Sequence, residues 1–314
     1  MKAKWSGKRI AGILSILDSD KKRAVSEIHV YAAKVLLSKK MIQKSEIGAI
    51  VVITLTPDYY LPQVSMILHD ELNLSEDVIC VDIAQGGTGY IVGLTQAFML
   101  LEHIKDKKVL LFTGDIMSLS SQNASRVFTV SVIENNNSYG KIYCEIDSDM
   151  ESSKKMILPC GGFRHPVFYD NDAYIAMQNG QIGNGLELQI DTEAFEKYFL
   201  VQEPVLFKTL LQDSRFRIED IKKIFFQLPF KSNAHFILDC INLNKETVKY
   251  EQTETVDNIS ASAIPRIICK EMQESFSSEK ESCLLMSCGS GFSLAGLIME
   301  IGCMDFCEVI ETII

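Results

Sequence analysis

The chain has 314 residues, of which 47% are hydrophobic and 23% are charged, and it carries a net charge of −10 at pH 7. This length fits one large domain or two of ordinary size, and the balance is typical of a globular protein with a substantial core. The negative charge argues against a nucleic-acid partner, which needs a basic face, and no apolar run approaches the roughly 18 residues of a membrane span.

In chain order, the first half alternates strands and helices. The pattern predicts a strand over residues 47–54, a helix over 61–72, a strand over 78–83, a glycine-rich turn, a helix over 90–104, strands over 109–113 and 126–133, and a turn at 135–138. Apolar strands that alternate with helices indicate an α/β fold whose sheet is buried on both faces. The basic N-terminus and the short apolar run over 10–17 resemble a weak secretory signal, but no small-residue cleavage site is convincing.

The second half repeats the theme. It predicts a helix over residues 195–211, a strand over 223–228, helices over 233–243 and 258–272, and strands over 282–287 and 307–313. Each half contains a strand–turn–helix unit with glycines at the turn, which predicts a pseudo-duplicated chain. We therefore expect an N-terminal half over residues 1–150, connecting or cap loops over 151–185, and a C-terminal half over 186–314.

The nine cysteines show neither a CxxC pair nor a cluster with histidine, so the sequence predicts no metal site. Several lie inside apolar runs, namely Cys80, Cys240, Cys269, Cys283 and Cys288. This pattern favours buried free thiols in a reducing cytosol over a disulfide framework, so we expect a cytoplasmic protein.

Five segments carry motifs in a fixed order. They are SEIGAIVVITLTPDYYLP (45–62), VDIAQGGTGYIVGL (81–94), LPCGGFRHP (158–166), DNISASAIP (257–265) and the strand with its glycine-rich loop over 284–294. Together they resemble the β-ketoacyl-acyl-carrier-protein synthase III family over most of the chain. The resemblance implies a thiolase-like α/β fold, with two pseudo-duplicated halves packed as a five-layer αβαβα sandwich.

The second segment departs from the family at its nucleophile. The family pattern D-[IV]-x-x-x-C-[AS]-G-[FY] places a cysteine on a tight turn at a helix start, where its thiolate attacks an acyl thioester. Asp82, Gly89 and Tyr90 fix the register, and the cysteine column then falls on Gly87. Because glycine has no side chain, we expect no acyl-enzyme at this position.

The family's other catalytic residues are a histidine and an asparagine, which stabilise the thioester enolate. The histidine column falls on Phe226 if the strand sets the register, or near Lys231 if the following helix does. Neither is histidine. The asparagine is kept as Asn258, and two interpretations of it stay open: an oxyanion-type donor, or a helix N-cap.

The resemblance also implies a pocket around these columns, formed by Gln85, Gly86, Thr88, Gln227, Cys288, Gly289, Ser290 and Gly291. Gln85 lies two residues before the cysteine column, which favours a turn residue over a replacement for the nucleophile. Cys288 could attack from across the pocket, but a small buried apolar residue is the favoured interpretation. The Gly289-Ser290-Gly291 turn lacks the spacing of a phosphate loop, so we expect it to allow a close backbone approach.

The family's coenzyme A clamp, D-E-W-I-x-x-R-T-G-I, is absent, because residues 17–20 lead almost directly into a helix over 24–37. We therefore expect no bound cofactor. The joint loss of cysteine and histidine implies a non-catalytic, pseudo-ketosynthase subunit that shapes the site of a Cys-bearing condensing or acyl-transfer partner. The alternatives are an acyltransferase that moves an acyl group from a carrier thioester directly to an amine or hydroxyl, and a homodimeric acyl-chain-binding protein.

The resemblance implies a dimer. We expect either a homodimer or a heterodimer with a Cys-bearing synthase III homologue, joined edge to edge through residues 109–113 or 78–83. Acyl carrier protein is a further expected partner, although both that protein and this chain are acidic. We expect neither nucleic acid nor a membrane span.

Overall fold

Two six-stranded β-sheets organise the fold. They are seen in a computed structural model, which describes residues 1–20, 22–104, 106–116, 126–162, 164–165, 174–176, 182–184, 188–227, 247–250, 260–274 and 279–312. From edge to edge, the N-sheet contains β16 (Phe306–Thr312), β2 (Lys8–Asp18), β6 (Arg126–Asn135), β5 (Lys108–Gly114), β3 (Ile47–Ile53) and β4 (Ile79–Ile83). The C-sheet contains β1 (Lys2–Ser6), β7 (Lys141–Ser148), β15 (Ser293–Ile301), β14 (Glu281–Gly289), β12 (Ile221–Phe226) and β13 (Val248–Lys249).

Helices fill the layers on and between the sheets. Those in the described part of the chain are α1 (Val25–Ser38), α2 (Val64–Glu71), α3 (Gly89–Leu101), α4 (Thr192–Ser214) and α5 (Ala263–Glu274). Helices α3 and α5 lie between the sheets in an inner cluster built around Leu94, Phe98, Ile268 and Leu285. Outside the N-sheet, α1 and α2 form the N-outer cluster around Ile28, Leu36, Leu68 and Phe128. Outside the C-sheet, α4 forms the C-outer cluster around Phe195, Phe199, Leu210 and Leu284. The layer order is αβαβα, which confirms the predicted sandwich.

The strand β3 shows why these residues form a central strand. Every residue of its sequence IGAIVVI is buried. Ala49, Val51 and Ile53 lie in the inner cluster, whereas Ile50 and Val52 lie in the N-outer cluster. Successive side chains of a strand point to opposite faces, so an apolar run without alternation fits a strand covered on both sides.

Short elements lie outside the two sheets. Strand β8 (Met156–Ile157) pairs with β11 (Gln189–Ile190), and β9 (Tyr174–Ala176) pairs with β10 (Ile182–Asn184). Single 3₁₀ turns at Lys44–Glu46 and Ile218–Asp220 lead into β3 and β12. No helix in the described ranges is both long enough and apolar enough to cross a membrane.

The strands near the two ends of the sequence each join the sheet of the other half. Strand β1 pairs with β7 in the C-sheet, while β16 pairs with β2 in the N-sheet, Phe306 lying opposite Gly12. The apolar run over residues 10–17 belongs to β2, which is paired with β16 on one side and with β6 on the other. The division of the chain at residues 150 and 186 stays a prediction.

The strand order separates the two candidate dimer edges. Strand β5, which contains residues 109–113, is paired with both β3 and β6, so it is not an edge. Strand β4 is paired only with β3 and forms an edge of the N-sheet. The helix predicted over 258–272 is described from Ala263 onward. Its predicted start at Asn258 and the helix predicted over 233–243 lie outside the described residues.

Candidate active site around Gly87

Gly87 lies in the turn between β4 and α3, at the carboxyl end of a parallel strand. The strand below the turn is anchored by Asp82. Its carboxylate oxygens accept hydrogen bonds from the backbone N–H groups of Val64, at 2.7 Å, and Ser65, at 2.9 Å. These are the first residues of α2, whose N–H groups have no partner within the helix. Asp82 therefore caps α2 and holds it against β4.

The position of the expected nucleophile has no room for a side chain. A Cβ atom built on Gly87 would lie 2.0 Å from the carbonyl oxygen of Cys288, and 2.6 and 2.7 Å from the amide nitrogen and oxygen of Gln227. A backbone oxygen cannot swing away as the end of a flexible side chain can. Close approach of β14 to the turn thus requires glycine here, and a cysteine at this position would have to displace the β14 backbone.

The turn between β14 and β15 forms the opposite wall. A Cβ on Gly289 would lie 3.0 Å from the backbone nitrogen of Thr88 and 3.1 Å from Ser293 Oγ, so this turn also packs closely on the start of α3. The hydroxyl of Ser293 donates to the carbonyl oxygen of Ser290 at 3.2 Å. Gly291 has open space around it but a φ of +69°, a left-handed conformation that favours glycine.

Amide and hydroxyl groups form a hydrogen-bonded chain beside Gly87. Gln85 Nε2 donates to Thr88 Oγ1 at 2.7 Å, and the hydroxyls of Thr88 and Ser293 lie 3.1 Å apart. Thr88 is fully buried, so these bonds offset the loss of its hydration. Such groups can donate to an oxygen that gains negative charge, but they do not act as bases near neutral pH.

The end of β12 sends two neighbouring side chains to opposite sides of the C-sheet. Phe226 is 1% exposed and packs in the C-outer cluster, away from Gly87. The backbone N–H of Gln227 donates to the carbonyl oxygen of Met286 at 3.0 Å, and its side-chain amide lies beside Gly87. The structure therefore brings Gln227, and not Phe226, to the turn.

Cys288 presents its backbone, and not its thiol, to Gly87. Its Sγ atom lies in the C-outer cluster, 3.9 Å from the carbonyl oxygen of Gln227. Burial, with the nearby carboxyl of Glu203, raises the pKa of the Cys288 thiol well above its usual value. Because the thiolate is the reactive form of cysteine, this thiol is neither placed nor ionised to replace the nucleophile. All cysteines within the described ranges are free.

A carboxyl group that the sequence did not single out joins the ends of two parallel strands. Asp115, just after β5, accepts hydrogen bonds from the backbone N–H of Leu55 at 2.6 Å and from Thr54 Oγ1 at 3.0 Å. Burial raises the pKa of the Asp115 carboxyl, and these hydrogen bonds oppose that change. The sequence could have indicated this residue, because Asp115 directly follows a buried strand and parallel strands end at one edge of a sheet.

The TPDYYLP segment runs from β3 towards α2 beside the site. Asp58 Oδ1 accepts a hydrogen bond from the backbone N–H of Ser26 at 3.1 Å, at the start of α1. The hydroxyl of Tyr60 donates to the carbonyl oxygen of Gly161. Leu61 is 83% exposed, so this segment leaves apolar surface open.

Two predicted site residues, Asn258 and Lys231, lie outside the described residues, and their roles stay predictions. Where the structure is described, it holds no group of three or more His, Cys, Asp or Glu side chains arranged for a metal ion. It brings together the Gly87 turn, Gln227 and the turn after β14. It does not bring Phe226 or the thiol of Cys288 to them.

Comparison with known proteins identifies the family. A Campylobacter jejuni protein, provisionally named 3-oxoacyl-[acyl-carrier-protein] synthase 3, is 30% identical over 278 residues, which cover 84% of this chain and 76% of that protein. The chain belongs to the synthase III family. A β-ketoacyl-[acyl-carrier-protein] synthase III of Clostridium beijerinckii is 21% identical over 286 residues, covering 88% of this chain and 84% of the relative. No family model matches the chain.

Solved structures agree on the synthase III fold. A crystal structure of 3-oxoacyl-(acyl-carrier protein) synthase from Burkholderia xenovorans is similar with a TM-score of 0.88 at 22% identity, over 99% of both chains. A 3-oxoacyl-(acyl-carrier-protein) synthase III gives a TM-score of 0.81 at 18% identity, over 93% of this chain and 99% of the other. At these identities the similarity establishes the fold alone.

Proposed function

We propose that this synthase III-like chain is a non-catalytic subunit that pairs with a Cys-bearing condensing or acyl-transfer partner and shapes the partner's site. The crowding at Gly87 carries the proposal, because a Cβ there would lie 2.0 Å from the carbonyl oxygen of Cys288. A covalent acyl-enzyme needs a side-chain nucleophile, and this turn is packed without space for one. Since its relatives are named for acyl-carrier-protein chemistry, we place the subunit in fatty-acid-like, polyketide-like or specialised biosynthesis.

The chemistry beside the turn supports the same function. The side chains of Gln85, Thr88, Gln227 and Ser293 are neutral amides and hydroxyls. The thiol of Cys288 lies on the other face of β14, in the C-outer cluster. None of these four side chains is a cysteine, histidine or carboxylate. Neither attack on a thioester nor removal of a proton is supported by such groups.

The free edge of the N-sheet supports a partner subunit. Among the described strands, β4 is paired only with β3, and Ile79 on it is 37% exposed. An unpaired apolar strand edge tends to pair with another chain. Because β4 leads directly into the Gly87 turn, a subunit paired along β4 would lie beside that turn. A homodimer or a heterodimer would cover this edge, and the heterodimer would give a subunit without a nucleophile a place at a catalytic site.

Intact-mass spectrometry after incubation with an acyl-coenzyme A or an acyl-carrier thioester tests the loss of the nucleophile. We expect no acyl adduct that survives denaturation. Gly87→Cys should gain no condensing turnover, because its side chain must first displace the β14 backbone at Cys288. A stoichiometric adduct on the unaltered chain would contradict the proposal, and peptide mapping would then locate the nucleophile.

Light scattering and co-expression with a Cys-bearing synthase III of the same organism test the partner. We expect a dimer at micromolar concentration, weakened by Ile79→Lys at the β4 edge. Met150→Lys is the matched control, because Met150 is 95% exposed and lies outside both sheets. A stable monomer would refute the dimer. Two chains that never exchange into a heterodimer would refute the subunit role.

A second function, direct acyl transfer without a covalent intermediate, is favoured by one observation. The hydrogen-bonded amide and hydroxyl groups of Gln85 and Thr88 could donate to the oxyanion of a thioester attacked by an amine or hydroxyl acceptor. If the pure chain turned over a carrier thioester and an amine without forming any acyl adduct, direct acyl transfer would be favoured over the subunit role. Thr88→Val should then lower kcat with little change in KM.

A further inference from the structure

A groove of about 870 Å³ lies at the end of α3 opposite to Gly87. Gly87 precedes the first turn of α3, whereas Glu102, directly after the helix, lines the groove. The helix has 13 residues, so roughly 20 Å separate the two places. A ligand in the groove would therefore not touch the Gly87 turn, and its binding does not depend on the function proposed above.

Three cations surround the groove in an otherwise acidic protein. Lys4, Lys141 and Arg215 are exposed, and none of them forms an ion pair within the described part of the chain. The acidic lining residue, Glu102, already pairs with Lys8 at 2.7 Å. The groove thus carries excess positive charge, although the chain as a whole carries −10.

Aromatic faces lie beside these cations. Phe216 is half-buried in the groove wall on the outer side of the C-sheet, where Tyr143 is buried, and Trp5 is half-buried in the wall on the inner side. Trp5 is held from below by Phe98, with ring centroids 5.5 Å apart. The ammonium group of Lys4 lies 5.5 Å from the centre of the Tyr143 ring. The wall therefore offers flat apolar surface and fixed positive charge together.

Two of the three cations, Lys4 and Arg215, have a simpler explanation when taken alone. Lysine on the edge strand β1 discourages pairing with other chains, and arginine at the end of α4 interacts well with the helix dipole. Neither explanation accounts for the aromatic rings, or for the convergence of the cations from β1, β7 and α4 on one concave surface. A ligand with a ring and an anionic group accounts for both.

We propose that this groove binds a nucleoside diphosphate. The base would pack against the Trp5 ring, and the diphosphate would face Lys141 and Arg215. The volume is within the range of small-molecule sites, about 300–1,000 Å³. Arginine suits phosphate oxygens because its planar group can donate two parallel hydrogen bonds, and stacking on an aromatic ring is open to any base.

Trp5 is the single tryptophan of the chain, so its fluorescence reports on the groove. We would titrate the full chain with ADP, with adenosine and with inorganic pyrophosphate, exciting at the red edge where adenine does not absorb, and repeat the titrations by calorimetry. ADP should change the Trp5 emission to saturation and bind at least about tenfold more tightly than either fragment. Lys141→Gln combined with Arg215→Asn should weaken ADP binding at least about tenfold, whereas the exposed control Lys44→Gln should not.

Asparagine is chosen at position 215 because Arg215 has a φ of 64°, which asparagine tolerates. An unchanged melting temperature shows that the double variant is folded. The proposal is overturned if ADP binds in neither assay, if pyrophosphate binds as tightly as ADP, which would indicate a simple anion site, or if the double variant keeps the parent affinity.

Discussion

The two glycine turns that meet at the centre of the molecule need glycine for different reasons. At Gly87 the space is missing, because a Cβ would lie 2.0 Å from the carbonyl oxygen of Cys288. At Gly291 the space is open, with nothing within 4 Å, but the φ of +69° is unfavourable for residues with a side chain. The Gly87 turn joins a strand to a helix, whereas the Gly291 turn joins two antiparallel strands. Crowding by a neighbouring backbone restricts Gly87, and backbone conformation restricts Gly291.

Each of the two outer layers contains a fully buried ionisable side chain. On α1, His29 is fully buried between Phe112 and Phe128, at ring distances of 5.1 and 5.3 Å. On α4, Glu203 is fully buried in the outer layer of the C-sheet. Neither side chain has a hydrogen-bond partner in the described structure. Burial lowers the pKa of His29 to about 3 and raises the pKa of Glu203 well above its usual value. The contributions of the two groups to stability therefore change with pH in opposite directions.

The largest effect is expected at the crowded turn. Gly87→Ala should lower the free energy of unfolding by about 3 kcal/mol or more, because the added carbon meets backbone that cannot move aside. The urea midpoint at an unchanged m-value measures this loss. Gly162→Ala is the control, since a Cβ there meets nothing within 4 Å and φ is not left-handed; it should change stability by less than about 0.5 kcal/mol. Similar losses of stability at both positions would show that crowding at Gly87 is not the cause.

The next effect concerns His29 in acid. Between pH 6.5 and about 3, the unfolded chain binds a proton at His29 that the folded chain excludes, so stability is lost as the pH falls. From pH 7 to pH 4 the loss is about 3 kcal/mol. His29→Leu removes it and keeps an apolar side chain between the two rings. Relative to the parent, the variant should therefore gain about 3 kcal/mol of unfolding free energy on acidification; a constant difference would contradict a neutral, buried His29.

Glu203 should show the opposite dependence. Above about pH 4.5 the folded chain keeps a proton that the unfolded chain releases, so this residue's contribution to stability falls as the pH rises. Glu203→Leu should raise the free energy of unfolding at pH 7 by about 2 kcal/mol, because it removes a buried polar group without a partner. Glu203→Gln separates the two causes, since it abolishes the titration but keeps a polar group. A Leu variant less stable than the parent across this range would show that the carboxyl is bound by a partner.

The smallest effect is expected at the open turn. Gly291→Ala should cost about 1 kcal/mol, because alanine must adopt the left-handed conformation without any clash. Gly291→Asn should cost less, since asparagine visits that region more readily. Thermal unfolding of the two variants beside Gly87→Ala measures the order. A Gly291→Ala loss as large as that of Gly87→Ala would mean that both turns are crowded.

Much of the fold was accessible from the sequence, but not all of its strands. Strands β3 and β5 are continuous apolar runs bounded by turn residues, so their burial could be predicted locally. Strands β1 and β2 were missed. Lys2–Ser6 alternates exposed and half-buried residues, and its partner β7 lies more than a hundred residues away in the chain. A strand's identity depends on that pairing, which no local pattern contains.

The sequence predicted where the site lies, but not why its turn requires glycine at position 87. Asp82 and Gly89 bracket Gly87 in the sequence, yet the carbonyl group that fills its space belongs to Cys288, far along the chain. A shift of one residue in a strand exchanges its two faces. The sequence placed Phe226 in the histidine column and Gln227 in the pocket, and the structure brings only Gln227 of these two to the turn.

The crossing of β16 into the N-sheet sets the order in which the protein can be completed during synthesis. Strand β2 is paired with β6 on one side and with β16 on the other, and β16 is made after every other strand of that sheet. At about 5–20 residues per second, roughly 15 to 60 s separate the synthesis of these two strands. Throughout that interval β2 presents an open apolar edge, which is prone to association with other chains. The nascent chain is therefore most vulnerable to aggregation at β2, which is synthesised early but gains its second partner strand last.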